Sequence, residues 1–378
     1  MTDRDAYIVL NLLPGIGSQR VQALIREFGS AAAILEKSHE ELSMVRGIPA
    51  ALAAKLANWQ SETNLPLELE LTDRGGARII TRADYDYPEI LRHIPDPPLC
   101  LYVRGTLPEF DARTVAVVGS RRMSRYGRAM AAQLSEGAVY AGWKVISGLA
   151  YGVDAVAHQS TINAGGITVA VLGGGLAKVH PQDHIPLARA IIDHGGAVIT
   201  EFPMTFPVSR QSFPRRNRIV SGLSRGVIVV EADIDSGAMI TATMALEQGR
   251  TVFAVPGQVD NPQARGCHKL IREGACLTES FNDVLNEFEF LPGFSPGVAE
   301  EPGVYSADGG DDTDSGDLFN RFDPHESRVL EFLRGGERHF DDIAAETELP
   351  TGELLAVMMR LEVKMAVRQD IGRMYKLK

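Results

Sequence analysis

The fold is decided by residues 113–122, RTVAVVGSRR, in which a short apolar, mostly β-branched run, Thr114–Val118, ends in a glycine turn. Similar runs recur downstream with helical stretches between them: Lys144–Ile146, Thr168–Leu172, Ala197–Thr200, Val227–Val230 and Thr251–Val255. Short buried strands that alternate with helices are typical of a parallel sheet covered on both faces. The sequence therefore predicts an α/β fold, with a Rossmann-like, doubly wound and mostly parallel sheet over residues 113–286.

Small and polar residues follow each predicted strand, at the edge where doubly wound sheets bind their ligands. These turns are Gly119-Ser120-Arg121-Arg122, Ser147-Gly148, Gly173-Gly174-Gly175, Glu201, Glu231 with Asp235-Ser236-Gly237, and Pro256-Gly257. The first turn suits an anion because backbone amides, the positive end of a helix and a guanidinium converge there. Glycine is also common in ordinary strand-to-helix turns, but its recurrence along one edge favours a binding site.

Arginines concentrate in residues 210–218, RQSFPRRNR, which contain four arginines and one phenylalanine. Arginine neutralises phosphates and stacks on bases, and Phe213 can stack on any base without reading its identity. This mixture favours a single nucleic-acid strand over a duplex. The alternative is a solvated helix start in which Phe213, beside Pro214, packs inward.

The net charge of −11 over 378 residues is unevenly distributed. Residues 287–326 carry a net charge of −10, whereas residues 113–275 contain seventeen Lys and Arg against eleven acids, a net charge of +6. The predicted core is therefore basic, and the overall acidity does not argue against nucleic-acid binding. No apolar run approaches the roughly 18 to 20 residues of a bilayer span. The three cysteines show no metal or disulfide spacing, so we expect a cytoplasmic protein with no membrane span and no metal.

The N-terminal region, residues 1–76, contains two short glycine turns, at residues 13–18 and 46–49, each followed by leucines or other apolar residues at helical spacing. The pair looks like two helix-hairpin-helix units of a SAM-like domain, whose turn amides can hold a DNA phosphate. Few cations flank the turns, chiefly Arg20 and Arg46. The scarcity of cations favours a structural role over phosphate binding.

Three further regions complete the predicted organisation. Residues 77–112 form a connection with two strand-like segments, and residues 287–322, rich in Asp and Gly, form an acidic flexible linker. Residues 323–378 predict a winged helix, with helices Ser327–Leu333, Phe340–Thr347 and Thr351–Glu362 and strands Ala366–Arg368 and Met374–Leu377. Because residues 327–378 have no net charge, a protein contact or a regulatory role is favoured there over DNA reading.

Motifs for catalysis are weak. The sequence contains no GxGxxG fingerprint and no phosphate-binding GxxxxGK[ST] loop. Asp154 and His158, four residues apart on a predicted helix, are interpreted as a helix-surface ion pair rather than an acid-base pair. Glu231 and Asp235 could be catalytic carboxylates, but no metal-ligand spacing accompanies them. We therefore expect no catalytic residue and no cofactor.

Taken together, these motifs resemble the DNA-processing protein A family (DprA, also called Smf). The resemblance rests on VVGSR at residues 117–121, SGLAYGVD at 147–154 with His158, GGGL at 173–176, FPRRNRI at 213–219, VEA at 230–232 with SGAMIT at 236–241, and VPG at 255–257. It extends over essentially the whole chain.

The resemblance implies a non-enzymatic recombination mediator that binds and protects incoming single-stranded DNA during natural transformation and helps load the recombinase RecA. It also implies a homodimer formed through the Rossmann-like core. Gly119 and Arg121 would then contact phosphate, and residues 210–218 would line the strand path, with Phe213 offered to a base. The predicted DNA-binding residues are Gly119, Ser120, Arg121, Arg122, Ser147, Gly148, Gly173, Gly174, Arg210, Phe213, Arg215, Arg216, Asn217, Arg218, Ser236 and Gly237.

Two other classes of function stay open. The core also resembles phosphoribohydrolases that act on nucleoside monophosphates, with Glu231 near the position of their glutamate, although their Pro-Gly-Gly run is missing. A scaffold that binds proteins and no DNA is the third possibility. Salt-dependent strand binding distinguishes the mediator from both.

Overall fold

The computed structural model describes residues 1–110, 113–288 and 324–347, and in the remainder residues 349, 354, 357, 358, 361, 366–370 and 374–377. By its internal contacts the chain divides into two compact units, Met1–Glu301 and Pro302–Lys378. All the predicted DNA-binding residues lie in the first unit. Within the described ranges, no helix has both the length and the apolar character needed to cross a membrane.

In the described part of the first unit, nine strands form one sheet. They are β1 Arg78–Thr81, β2 Cys100–Gly105, β3 Thr114–Val118, β4 Lys144–Ser147, β5 Thr168–Val171, β6 Ala197–Thr200, β7 Gly226–Val229, β8 Thr251–Ala254 and β9 Cys276–Leu277. Their spatial order is β1-β2-β6-β5-β4-β3-β7-β8-β9, and all neighbours from β6 to β9 run parallel. The six predicted strands are confirmed as β3 to β8, each end within one residue of its prediction.

Helices cover both faces of this sheet. Those of the first unit are α1 Asp3–Leu12, α2 Ser18–Phe28, α3 Ala31–Ile34, α4 His39–Met44, α5 Ala50–Ala57, α6 Trp59–Glu62, α7 Leu65–Arg74, α8 Glu89–Arg92, α9 Arg125–Tyr140, α10 Val153–Asn163, α11 Ile185–Asp193, α12 Ser212–Gly222, α13 Gly237–Glu247, α14 Arg265–Arg272 and α15 Phe281–Phe288. Successive side chains of a strand point to opposite faces. Accordingly, Val115 and Val117 share a cluster with Leu134 of α9, whereas Ala116 and Val118 share another with Ile219 of α12. The doubly wound prediction is confirmed.

The region predicted as a connection contributes two strands to the main sheet. β1 pairs antiparallel with β2, and β2 pairs antiparallel with β6, with Tyr102 opposite Thr200. Tyr102, Leu101 and Cys100 are fully buried. The connection is therefore an antiparallel extension of the sheet, which a local reading of the strand-like segments missed because their partner, β6, lies about a hundred residues away.

The N-terminal helices pack onto the same unit. Each predicted turn joins two helices, α1 to α2 and α4 to α5, and both turns contain a glycine with positive φ, Gly15 at 91° and Gly47 at 89°. Side chains such as Leu10 and Leu24 share a hydrophobic cluster with Tyr102 of β2 and Ile191 of α11. The boundary predicted near residue 76 therefore separates two types of secondary structure within one packed unit. Assignment of these turns to the helix-hairpin-helix class stays a prediction.

The second unit contains α16 Pro324–Leu333, α17 Phe340–Thr347, β10 Arg338–His339, β11 Val367–Asp370 and β12 Met374–Leu377. The three strands form a sheet in the order β10-β12-β11, with both pairs antiparallel. Of the predicted third helix, residues 354, 357, 358 and 361 are described, and they are helical and buried. The rest of that helix and the predicted acidic linker beyond residue 288 lie outside the described residues.

Candidate nucleic-acid interface

Hydrogen bonds of Ser120 fix the turn after β3. The amide of Ser120 donates to the carbonyl of Glu231 at 2.6 Å, and the Ser120 hydroxyl accepts from the amide of Arg122 at 3.0 Å. Gly119 lies against Val153 of α10, where an added Cβ would come within 2.7 Å of a methyl group. The turn therefore leaves no room for a side chain at Gly119 and projects the exposed side chains of Arg121 and Arg122 from the carboxyl edge of the sheet.

Arg121 meets Phe213 at this edge. The Arg121 Cζ atom lies 4.9 Å from the centre of the Phe213 ring, a cation–π distance. On another side, the ring lies against Gly173 at the end of β5, where an added Cβ would be 3.1 Å from the Phe213 Cδ1 atom. The structure thus unites the glycine turn after β3 with the arginine-rich run, which lie about ninety residues apart. Phe213 is half-buried. This agrees in part with both predictions for it, a ring that stacks on a base and a ring that packs inward.

Two further exposed cations flank this pair. Arg210 is exposed in the loop before α12, and Arg215 projects from the first turns of α12 with 54 % of its side chain exposed. The Arg215 Cζ atom lies 4.8 Å from the centre of the Phe202 ring, and its Nη2 atom is 3.8 Å from the Glu201 carboxylate. Arg121, Arg122, Arg210 and Arg215 are therefore the predicted arginines that solvent, and so a ligand, can reach.

Arg216, predicted to line a strand path, has its guanidinium inside the protein. The residue is 5 % exposed, and its Nη1 atom donates to the carbonyl of Val171 at 3.0 Å. Its guanidinium occupies the space above Gly148, where any Cβ would overlap it. Burial lowers the pKa of Arg216, and the nearby Asp154 carboxylate opposes that shift. The glycine after β4 therefore makes room for an arginine of the protein itself.

Arg218 is likewise inside, at 8 % exposure. Its Nη2 atom pairs with the buried carboxylate of Glu201 at the end of β6, and its Nε atom lies 3.2 Å from Asp96. Two carboxylates therefore surround one guanidinium. Arg218 ties α12 to the end of β6 and to the loop before β2.

The other predicted residues shape this edge in different ways. The Ser147 hydroxyl is fully buried and donates to the Val117 carbonyl at 2.7 Å. Gly174 is covered by Val208. The Asn217 side-chain amide donates to the carbonyl of Gly237 at 3.3 Å, and Ser236 is the N-cap residue of α13. Phe213 lies beside β5, whereas α13 packs on β7 and β8. Ser236 and Gly237, at the start of α13, therefore lie on the opposite side of α12 from β5.

Asp154 and His158 do not form the predicted surface ion pair. Asp154 is buried at the start of α10, where its carboxylate accepts from the amides of Gly148 at 3.1 Å and Ala150 at 3.3 Å. Burial raises its pKa, and the charge of Arg216 opposes that shift. His158 is fully buried, and burial together with Arg216 lowers its pKa to about 3. Its Nδ1 atom donates to the Thr168 hydroxyl at 2.7 Å, because that hydroxyl itself donates to Val145.

A cavity that was not predicted from the sequence lies close to Phe213. A volume of about 390 Å³ is lined by Tyr151, Lys178, Val179, His180, Pro181, Gln182, Asp183 and Val208. The Tyr151 hydroxyl donates to Asp183 at 2.8 Å, and the ring centres of His180 and Phe213 lie 6.4 Å apart. Tyr151 lies in the SGLAYGVD motif, so the signal was present, but nothing local indicated that it faces the loop after β5.

These features define a doubly wound α/β protein whose carboxyl strand edge presents exposed arginines around one aromatic ring. Among the described residues, no group of His, Cys, Asp and Glu side chains is arranged to hold a metal ion. The family model of the DNA recombination-mediator protein A matches residues 78–289, and that of the DprA winged helix domain matches residues 318–373. The chain belongs to the DNA recombination-mediator protein A family.

Relatives and solved structures support this membership. Protein Smf of Synechocystis sp. is 30 % identical over 388 aligned residues, which cover 98 % of this chain and 97 % of that protein. The X-ray structure of DNA processing protein A from Streptococcus pneumoniae superposes with a TM-score of 0.66 at 32 % identity, covering 77 % of this chain and 99 % of that one. A structure of DNA processing protein A from Helicobacter pylori, described for its single-stranded DNA binding mode, gives a TM-score of 0.51 at 25 % identity, covering 56 % and 95 %.

Proposed function

We propose that this protein is a recombination mediator that binds single-stranded DNA at the carboxyl edge of its sheet, protects incoming strands during natural transformation and helps load RecA onto them. The observation that carries the proposal is the contact between Arg121 and Phe213, with exposed Arg122, Arg210 and Arg215 around it. Membership of the recombination-mediator family and the strand-binding relative from Helicobacter pylori support it.

The proposed binding is electrostatic and does not depend on the base sequence of the strand. Exposed guanidiniums neutralise phosphates and release counterions, and the Phe213 ring provides a stacking surface that every base can use. The buried arginines serve the site indirectly, because Arg216 and Arg218 fix the helix that carries Phe213 and Arg215. Gly119, Gly173 and Gly174 let the protein's own segments approach the strand ends closely.

The proposed role involves no bond chemistry and no cofactor. The phosphoribohydrolase alternative would need Glu231 as a reacting group. Instead, this residue is 2 % exposed, and both oxygens of its carboxylate are engaged by Ser124, from the amide at 2.8 Å and from the hydroxyl at 2.6 Å. Glu231 therefore acts as an acceptor for the start of α9.

Two partners are part of the proposal. A homodimer through the Rossmann-like core would join two strand-binding edges, and one bound edge would raise the effective concentration of the strand at the other. RecA would then receive the held strand. Both partners come from the family resemblance, and a role with RecA and DNA would have the protein act in the cytoplasm.

Fluorescence anisotropy with single-stranded and duplex oligonucleotides tests the function. We expect tighter binding to the single strand, affinity that falls linearly in log salt, and a loss of roughly tenfold or more on Arg121→Ala with thermal stability unchanged. Arg225→Ala is the matched control, because Arg225 is exposed just before β7, at the opposite edge of the sheet. Absence of strand binding by the unchanged protein would overturn the proposal.

A further inference from the structure

The start of α9 carries more positive charge than the predicted site includes. After Arg121 and Arg122, the first turn of α9 adds Arg125 and Arg128, and all four side chains are exposed. Residues three apart lie on the same side of a helix, so Arg125 and Arg128 form one cationic surface. Among the described residues, no acidic side chain forms an ion pair with Arg122, Arg125 or Arg128.

This charge is unfavourable for the helix itself. The N-terminus of a helix is its positive end, where acidic residues stabilise and cations destabilise. The first turn of α9 nevertheless contains no acidic residue and two arginines. The buried Glu231 carboxylate below Ser124 supplies one negative charge, on the side away from solvent. A cluster that opposes the local rule is expected where an external anion compensates for it.

The aromatic residue within this cluster, Tyr126, is fixed by a hydrogen bond. The Tyr126 hydroxyl donates to the carbonyl of Pro256 at 2.9 Å, directly after β8, and 46 % of the residue is exposed. The Phe213 ring lies at the other end, against Gly173 after β5. In the sheet order β5-β4-β3-β7-β8, four strand spacings separate the two rings, about 19 Å at roughly 4.8 Å each.

We propose that Arg125, Tyr126 and Arg128, the arginine ridge, form a second binding segment for the phosphates and bases of a single strand, continuing the path from Phe213 past Arg121 and Arg122 to the end of β8. This inference rests on the proposed function and extends the proposed strand path to further residues of this chain. A strand that reaches the ridge makes more phosphate contacts than one held only at Arg121 and Phe213. The ridge therefore matters for long strands and has no effect on short ones.

Oligonucleotide length is the variable that tests the ridge. We compare oligothymidylates of about three nucleotides, too short to reach from Phe213 to Tyr126, and of about sixteen nucleotides, using the double variant Arg125→Gln and Arg128→Gln in the full chain. The long strand should lose about tenfold in affinity, and its salt slope should fall by about 0.7 for each lost phosphate contact. The short strand should bind as before. Tyr126→Phe, which keeps the ring, should retain long-strand affinity, whereas Tyr126→Ala should lose it.

The matched control removes two exposed arginines elsewhere, Arg189→Gln on α11 and Arg225→Gln at the opposite edge. This control should leave both affinities unchanged. Melting separates binding from structure, because removing cations from the positive end of α9 should leave the melting temperature equal or higher.

Three results would overturn the inference: equal losses for short and long strands, the same loss in the control, or a fall in melting temperature that accounts for the lost binding. Failure of the unchanged protein to bind either strand is a different outcome, which removes the proposed function itself.

Discussion

Two helices begin at the same edge of the sheet with arginines in their first two turns, and they use them in opposite ways. α12 places Arg216 and Arg218 inside the protein, beside Asp154 and Glu201. α9 exposes its first-turn arginines, and its one buried counter-charge, Glu231, is engaged by Ser124. The contrast shows that the surroundings decide what an arginine does. Where the sheet supplies a buried carboxylate the arginine fixes the scaffold, and where it does not the arginine is available to a ligand.

The largest effect is expected at Gly148, which the Arg216 guanidinium covers. Gly148→Ala would place a Cβ on that guanidinium and expel the arginine from its place beside Asp154. We expect a loss of about 3 to 5 kcal/mol in the free energy of unfolding, the range for a broken buried ion pair. Denaturant unfolding followed by circular dichroism measures it.

Gly237→Ala is the matched control for this prediction. No atom lies within 4 Å of the Cβ that it would add at the start of α13, so stability should change by less than about 1 kcal/mol. A Gly148→Ala protein as stable as this control would show that Arg216 can leave the interior freely, and the contrast between α12 and α9 would then fail.

A smaller effect separates two neighbours on α12, Arg218 and Arg215. Arg218→Ala would leave the buried Glu201 carboxylate without its closest partner, and we expect a loss of about 2 to 4 kcal/mol in unfolding free energy. Arg215→Ala removes a mostly exposed side chain whose contact with Glu201 is 3.8 Å, so its stability change should stay under about 1 kcal/mol. Strand affinity should fall in Arg215→Ala at unchanged stability. If the two variants lose stability equally, the division into buried and exposed arginines is wrong.

Strand positions and the collection of the glycine turns at one edge of the sheet were predictable from the sequence because both depend on local patterns. Apolar runs such as Thr114–Val118 predicted the strands, and the glycine turns predicted the edge. The fate of each arginine depended on residues far away in the chain. Arg218 is buried because Glu201, on another strand, lies beneath it, and Arg216 because Gly148 leaves a space of its shape.

The same distance effect explains two other outcomes. The spacing of Asp154 and His158 suggested a surface pair, but the helix that carries them packs between α9 and α11, so the side facing the sheet is buried. The strands β1 and β2 were read as a connection because only their pairing with β6 makes them part of the sheet. Local periodicity cannot supply such pairings.

The smallest effect concerns the pH dependence of the unfolding free energy. It involves His158, whose pKa is lowered in part by Arg216. Folded His158 takes up a proton only near its pKa of about 3, whereas the unfolded residue does so near 6.5. The stability that neutral His158 contributes is therefore fully present above about pH 6.5 and is lost as the pH falls below that value, by up to about 1.4 kcal/mol per pH unit. His158→Gln removes this titrating group, so its unfolding free energy should decline less steeply between about pH 6.5 and 5. Exposed His194→Gln should keep the slope of the unchanged protein. Because Arg216 is one cause of the low pKa, an identical slope in the protein and its His158→Gln variant would mean that the cluster beneath α12 admits water or protons and is less closed than its burial indicates.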